Sequence, residues 1–200
     1  MNDRSPEHIR PLLVRIDRLM AERERVLVAI DGGSASGKTT LGALLQSIYG
    51  CPVFHMDDFF LRPEQRTLER FSEPGGNVDR ERFLSEVLLP LREGKTVDYR
   101  RFDCKTFTIA SPRRIEPGRL NIIEGAYAMH PDLAPYYDLT VFLAVSAEKQ
   151  RERILKRNAP AQAELFFDRW IPFEQRYFAA LNVPERCDLT IILDDQTRVP

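Results

Sequence analysis

One short stretch constrains this chain more than any other, the "GGSASGKT" of residues 32–39. It matches the pattern G-x-x-x-x-G-K-[ST], whose glycines let backbone N–H groups curve around phosphate oxygens. The β-branched run "RVLVAI" at 25–30 predicts a buried strand before it, and "TTLGALLQSIYG" predicts a helix after it that ends at Gly50. Because both the pattern and its context are satisfied, the stretch predicts a nucleoside triphosphate site between a strand and a helix.

The residue types of this phosphate loop predict separate tasks. The following helix points the positive end of its dipole at the phosphates, and Lys38 adds a charge beside the β- and γ-phosphates. The Thr39 hydroxyl is a candidate Mg²⁺ ligand. No N-K-x-D guanine-specificity motif is present, which argues against a GTPase, and the preference between ATP and GTP as nucleotide stays open. The predicted nucleotide-binding residues are Gly32, Gly33, Ser34, Ala35, Ser36, Gly37, Lys38, Thr39 and Thr40.

Strands alternate with helices along the rest of the chain. This alternation predicts a single α/β domain with the P-loop NTPase fold, in which helices cover both faces of a five-stranded parallel sheet. We assign residues 1–24 to an amphipathic helix packed on the domain, and residues 25–200 to the domain itself. Further strands are predicted at 51–56, 119–125, 137–146 and 187–193, helices at 78–94, 147–158 and 164–181, and short strands or loops at 95–118.

Composition excludes several functional classes. The 29 basic and 30 acidic residues nearly cancel, which gives no overall field for nucleic acid or an anionic membrane. No apolar run approaches the roughly 20 residues that a bilayer-spanning helix needs. Three cysteines without metal-ligand spacing favour reduced thiols and a cytoplasmic location. The expected partner is a small-molecule acceptor, and the choice between a monomer and a homo-oligomer stays open.

Two acidic residues follow predicted strands. Asp57, in "FHMDDFF", follows the second strand, and Glu124, in "NIIEG", ends the third. The carboxyl ends of parallel strands line the ligand crevice of such a sheet, so both side chains should face the nucleotide phosphates. Together with Thr39 they are the predicted Mg²⁺ ligands, directly or through water.

Taken in order, the motifs resemble those of a known family over roughly residues 25–193. The chain is similar to uridine kinase-like P-loop kinases, a group that includes nicotinamide riboside kinases and is related to type I pantothenate kinases and phosphoribulokinases. The resemblance therefore implies a fold of the nucleoside and nucleoside monophosphate kinase type with a basic lid helix. The motifs that carry it are "GGSASGKTT", "HMDDFF", "GGNVDRERF", "IIEGAY" and "FFDRWIPFEQRYF".

The resemblance implies roles for individual residues. Asp57 aligns with the acid that accepts the acceptor's hydroxyl proton, so Asp57 and Lys38 are the predicted catalytic pair. Arg153 and Arg157, one helical turn apart, would close over the transferring phosphoryl group, although a basic helix is more often a solvated face. Candidate acceptor-binding residues are Asp58, Asp79, Phe102, Tyr127 and Arg169.

The chain also departs from uridine kinases proper. Phe107 stands where a base-reading histidine would fall, and Arg169 stands where a glutamine would contact the base. Helical spacing assigns the aromatic stripe of Phe166, Trp170, Phe173 and Tyr177 mainly to core packing, with Trp170 or Arg169 at the acceptor pocket as the alternative.

The expected activity is transfer of the γ-phosphoryl of ATP, with Mg²⁺, to a hydroxyl of a small metabolite. A nucleoside or nucleoside-like acceptor is preferred over nicotinamide riboside, pantothenate or a sugar phosphate. The competing class is an ATP-binding regulatory module without efficient transfer. The acid at Asp57 favours the kinase, because a degenerate module would not need it.

Overall fold

A parallel sheet of five strands forms the centre of the computed structural model, which describes residues 7–192. All four strand pairings are parallel, and the strand that precedes the phosphate loop lies in the middle, so the predicted fold class is confirmed. In the order β2-β7-β1-β8-β9, the strands are β2 (Val53–His55), β7 (Leu120–Glu124), β1 (Val26–Gly32), β8 (Leu139–Ala144) and β9 (Leu189–Ile192).

Helical segments fill most of the connections between these strands. Two of them contain a π-helical turn, Leu84–Leu88 and Phe166–Trp170, and the second turn comes just before Pro172, where the sequence suggests a kink. The α-helices are α1 (Arg10–Glu22), α2 (Lys38–Tyr49), α3 (Leu68–Ser72), α4 (Arg80–Phe83), α5 (Leu89–Glu93), α6 (Ala147–Arg157), α7 (Pro160–Leu165), α8 (Ile171–Leu181) and α9 (Val183–Arg186).

The segment with no clear sequence pattern, residues 95–118, forms two small antiparallel pairs. β3 (Val97–Tyr99) pairs with β6 (Arg113–Ile115), and β4 (Phe102–Asp103) pairs with β5 (Thr108–Ile109). The inner pair places Phe107 at its turn, at a positive φ of 57°. These two antiparallel pairs lie outside the main five-stranded sheet. Side chains from this segment reach the site described below.

The sheet is covered on both faces, as its alternating side chains require. On one face Val28 of β1 packs with Leu12 and Ile16 of α1 and with Leu45 of α2. This packing agrees with the expected N-terminal helix, although residues 1–6 and 193–200 of the two predicted ranges lie outside the described residues. On the other face, Leu27 and Ala29 of β1 pack with Phe83, Val87, Leu91 and Tyr177.

None of the helices in residues 7–192 is both long and apolar enough to cross a membrane.

Asp31 links the end of β1 to two other elements. It is fully buried, and its carboxylate accepts hydrogen bonds from the backbone N–H groups of Gly32 and Met129 and from the Tyr177 hydroxyl. Burial raises the pKa of Asp31 to about 6, although these three donors and the nearby Lys38 act in the opposite direction. The start of the phosphate loop is therefore tied to the loop after β7 and to α8.

The raised pKa predicts a pH-dependent stability. Because the folded state binds the Asp31 proton more tightly than the unfolded chain, its contribution is fully present below about pH 4 and is lost as the pH rises to about 6. The free energy of unfolding should fall by about 3 kcal/mol across this window, from a shift of about two pKa units. Denaturant unfolding from pH 4 to 7 measures it. The Asp31→Asn variant should lack this component of the slope, and equal slopes would contradict the assignment.

Candidate active site

The phosphate loop ends at Gly37, which begins α2 in a left-handed conformation with φ of 106°. The first N–H groups of any α-helix have no partner within the helix, and no side chain caps them in α2. They face a cavity of about 450 Å³. Ser34 to Thr40 line this nucleotide cavity, as predicted from the motif. Gly32 and Gly33 do not line it; instead a Cβ on Gly32, whose φ is 148°, would lie 2.5 Å from the Leu143 carbonyl oxygen. Glycine at 32 thus permits close contact with β8.

Three side chains hold the phosphate loop through hydrogen bonds to its backbone carbonyl groups. Lys38 Nζ donates to the carbonyl oxygens of Gly32 and Gly33, each at 2.8 Å. Gln150 donates to the carbonyl of Ser34 at 2.8 Å, and Arg153 donates to the carbonyl of Ala35 at 3.1 Å. Since these bonds occupy carbonyl groups, the loop is held without consuming the N–H groups that phosphate would use.

Asp57 and Glu124 reach the same cavity from neighbouring strands. Asp57 lies in a single 3₁₀ turn, Met56–Asp58, directly after β2, and Glu124 is the last residue of β7. Asp57 is accessible from the cavity, but the surrounding protein desolvates its carboxylate and raises its pKa. Lys38 lowers the pKa of Asp57, and Glu124 raises it. The sequence prediction that both acids face the phosphate loop agrees with this arrangement.

Glu124 also meets two other polar groups. Its Oε1 accepts a hydrogen bond from the Thr39 hydroxyl at 3.1 Å and lies 2.5 Å from Nδ1 of His55. The hydrogen bond to Glu124 raises the pKa of His55, so the two side chains form an ion pair when His55 is protonated. His55 therefore orients Glu124, a role that the sequence alone did not assign.

The oxygen atoms here fit a magnesium ion held jointly with a nucleotide. Thr39 and Glu124 are in contact, and Asp57 lines the same cavity. Within the described range 7–192, no group of three or more His, Cys, Asp or Glu side chains forms a metal cage. Mg²⁺ commonly takes one or two protein oxygens and completes its shell with phosphates and water, so the set present suits it.

Glu174 is a part of this site that sequence reasoning missed. It is only 5% exposed, and its carboxylate accepts from the Ser34 backbone N–H at 2.8 Å and from the Ser34 hydroxyl at 2.6 Å. Burial raises the pKa of Glu174, and the Ser34 bonds oppose that rise. Because Glu174 lies 140 residues from Ser34 on an aromatic helix, no local pattern distinguished it from a surface glutamate.

The predicted lid arginines both lie at the nucleotide cavity. α6 begins after Ser146, whose hydroxyl accepts from the Lys149 N–H and caps the helix. Arg153 bonds the loop carbonyls, and the Arg157 guanidinium lies 5.6 Å from the centre of the Phe166 ring. The basic helix therefore contacts the loop and the cavity.

Of the five candidate acceptor residues, Arg169 borders a second cavity, and the other four line neither that cavity nor the nucleotide cavity. Asp58 is bound by the Tyr99 hydroxyl and by Arg101, each at 2.8 Å. Asp79 is 1% exposed and caps α4 through the Arg82 N–H. Phe102 and Tyr127 are buried, and Tyr127 packs against Tyr177. The structure thus gives these four residues packing or capping contacts.

Three residues of the aromatic stripe fall into two groups, one in the core and one at the cavities. Tyr177 is fully buried in the core, as the helical spacing predicts. Phe166 and Trp170 are only partly buried, and each lines a cavity. For these two, the assignment to core packing does not hold, because the π-helical turn Phe166–Trp170 presents them at the cavity walls.

The fold and the site define a P-loop kinase, in which a glycine-rich loop, a lysine and a strand-end acid share one cavity. The chain belongs to the phosphoribulokinase/uridine kinase family, whose model matches residues 27–161. This membership confirms the resemblance stated from the sequence and implies ATP as the phosphoryl donor.

Individual relatives agree with the family assignment. The chain is 29% identical to uridine kinase-like protein 4 of Arabidopsis thaliana over 68% of its own length, and it spans only 31% of that protein. It is 26% identical to the uridine kinase of Ligilactobacillus salivarius, with 70% of each chain covered. A structure from Silicibacter sp. TM1040, provisionally described as a fructose transport system kinase, shares the fold at a TM-score of 0.74 and 24% identity, over 93% of this chain and 99% of that one.

The contact between Glu174 and Ser34 predicts a loss of stability on substitution. Glu174→Ala should lower the free energy of unfolding by about 1–3 kcal/mol, because it leaves the Ser34 N–H and hydroxyl without their acceptor. Glu174→Gln keeps the shape and one oxygen and should lose less. Denaturant unfolding measures both, with Glu164→Ala, an exposed site on α7, as the matched control. A loss in the control as large as in Glu174→Ala would argue against the contact.

Proposed function

We propose that this protein transfers the γ-phosphoryl group of ATP to a hydroxyl of a small metabolite, with a nucleoside or nucleoside-like compound as the preferred acceptor. The observation that supports it best is the presence of Asp57, Lys38 and the phosphate loop in one cavity. A regulatory module that only binds ATP would need the loop and Lys38, but it would have no use for a desolvated acid beside them.

Asp57 is proposed as the general base. As the acceptor oxygen forms its bond to the γ-phosphorus, the bond from that phosphorus to the oxygen of the departing ADP breaks, and the hydroxyl proton passes to the Asp57 carboxylate. The desolvation that raises the pKa of Asp57 makes it a stronger base than a solvated aspartate. Lys38 opposes this effect, and the charge of Glu124 supports it.

The positive charges of the site act on the phosphates. The N-terminus of α2 offers unpaired N–H groups, and Lys38 uses two of its three ammonium hydrogens on loop carbonyls, which leaves one for a phosphate oxygen. Arg153 and Arg157 line the same cavity and add charge opposite the transferring group. When bound, Mg²⁺ would neutralise phosphate charge, and Thr39 and Glu124, with Asp57 nearby, would hold it.

The proposal is tested by acceptor-dependent ADP release. The purified protein, ATP and Mg²⁺ are combined with a panel of nucleosides, nicotinamide riboside, pantothenate and sugar phosphates. At least one acceptor should stimulate ADP release above the rate with water alone. Tight ATP binding without stimulation by any acceptor would instead favour the regulatory module.

Asp57→Asn should separate chemistry from nucleotide binding. We expect turnover to fall by a factor on the order of 10² or more, because the amide cannot accept the hydroxyl proton. ATP affinity should stay close to that of the wild type, since the phosphate loop is unchanged. Steady-state kinetics with the stimulating acceptor and an ATP titration measure the two quantities.

Two variants serve as comparisons for Asp57→Asn. Asp58→Asn should lose less turnover, because the structure engages that carboxylate with Tyr99 and Arg101. Lys38→Ala should weaken both ATP binding and transfer, since its charge acts in the ground state and in the transition state. Unchanged turnover in Asp57→Asn would identify another group as the base.

A further inference from the structure

A second cavity, of about 370 Å³, opens beside the nucleotide cavity, and its volume is within the range of small-metabolite sites. We call it the aromatic cavity, because Phe60, Phe71, Phe107 and Trp170 supply much of its wall. Asn77, Cys104 and two arginines, Arg66 and Arg169, are the only polar or charged residues in its lining.

Two chain segments line both the aromatic cavity and the nucleotide cavity. Asp57 lines the nucleotide cavity, and Phe60, three residues later, lines the aromatic one. On the opposite wall, Phe166 lines the first cavity and Arg169 the second, within a single helical turn. The same two segments thus contribute to both cavities, which favours the aromatic cavity as the site of the molecule that meets Asp57.

The two arginines have no anionic partner in the described part of the chain. Arg66 donates from Nε to the Leu61 carbonyl at 3.0 Å, and its guanidinium lies 5.2 Å from the centre of the Phe107 ring. Arg169 stacks on Trp170 at 4.8 Å and on Phe71 at 5.5 Å. Within residues 7–192 neither guanidinium forms an ion pair, and Arg169 makes no hydrogen bond through its side chain.

Other arginines nearby show a different pattern. Arg70 and Arg80 each meet a glutamate or aspartate within 3 Å, and Arg101 binds Asp58 at 2.8 Å. The cavity lining contains no carboxylate that could pair with Arg66 or Arg169 in the same way. Both arginines are exposed residues that border a lining without any carboxylate.

The side chains of the aromatic cavity indicate which kind of molecule it binds. Guanidinium groups only donate hydrogen bonds, and they suit the paired oxygens of a carboxylate or phosphate. A neutral base would need acceptors as well as donors, and the Asn77 amide is the only strong acceptor side chain here. The aromatic walls, in turn, suit a planar or apolar body.

We propose that the aromatic cavity binds the phosphoryl acceptor, and that this acceptor carries an anionic group, a carboxylate or a phosphate, recognised by Arg66 and Arg169. The inference rests on the proposed function, because it takes Asp57 as the group that meets the acceptor hydroxyl. It narrows the preferred acceptor from nucleoside-like compounds in general to an anionic one, so neutral uridine is not the expected acceptor.

Binding is measured without catalysis through Trp170. It is the chain's single tryptophan and lines the cavity, so its fluorescence reports occupancy. Two non-absorbing pairs are titrated, pantothenate against panthenol and ribose 5-phosphate against ribose. We expect the anionic member of at least one pair to bind at least about tenfold more tightly, and the pair that responds tells carboxylate from phosphate.

Variants assign the effect to the two arginines. Arg66→Gln and Arg169→Gln should each weaken binding of the preferred anion about tenfold or more and leave its neutral partner unchanged. Arg113→Gln is the matched control, because Arg113 also stacks on an aromatic ring, that of Tyr99, but lies outside both cavities. It should bind the anion as the wild type does.

Turnover then separates this inference from the proposed function. The same two pairs are assayed for ADP release. A third pair is added, uridine and orotidine, which is uridine with a carboxylate on its base ring. Equal or tighter binding of the neutral members, or an anion affinity unchanged in both glutamine variants, would overturn the inference and leave the kinase proposal standing. Anion binding without ADP release from any acceptor would overturn the kinase proposal, and with it the assignment of the anion site to an acceptor.

Discussion

The site depends on leaving backbone N–H groups of the phosphate loop available for phosphate. Backbone N–H groups that bind phosphate cannot also be used to hold the loop in shape, so the loop must be held through its carbonyl groups. The structure meets this requirement with Lys38, Gln150 and Arg153, which occupy carbonyl oxygens from Gly32 to Ser36. Two of these three side chains come from α6, so the basic helix supports the loop as well as facing the nucleotide cavity.

Three N–H groups of the loop are nevertheless paired, because Gly32 donates to Asp31, Ser34 to Glu174 and Ser36 to the Gly33 carbonyl. The buried Glu174 carboxylate places negative charge beside the space that phosphates would fill, and the charge of Lys38 lowers its pKa. The same cation also lowers the pKa of Asp57 and Asp31. Lys38 therefore acts electrostatically on three carboxylates, and Arg153 and Arg157 add positive charge at the same cavity.

The sequence predicted those features of the fold and site that depend on local pattern. The phosphate loop is a contiguous motif, and the alternation of strands and helices implies a parallel sheet. From that topology alone, Asp57 and Glu124 were expected at one edge, and both line the nucleotide cavity. Asp79 was also expected near the start of the helix predicted at 78–94, and it caps α4 in the structure. The burial of its side chain could not be predicted from the local pattern.

The remaining features arise from contacts between distant segments. Glu174 and Ser34 meet across 140 residues, and His55 meets Glu124 across 69. Nothing in the local spacing marks either pair, because a glutamate in an aromatic helix and a histidine in a strand are common in unrelated roles. The aromatic cavity was missed for the same reason: it is closed by a hairpin turn, a short helix and a π-helical turn, none of which has a strong sequence pattern.

One helical segment, residues 160–181, connects the two cavities. Arg169 and Trp170 lie on the aromatic cavity, and Phe166 and Glu174 lie on the nucleotide cavity. A regular α-helix carries residues four apart on one face, so Phe166 and Trp170 would share a face. The π-helical turn that ends at Trp170 adds a residue to the turn and shifts that face, as such turns often do at functional sites. The irregular turn thus lets one segment contribute to both cavities, with Trp170 on the aromatic cavity and Phe166 on the nucleotide cavity.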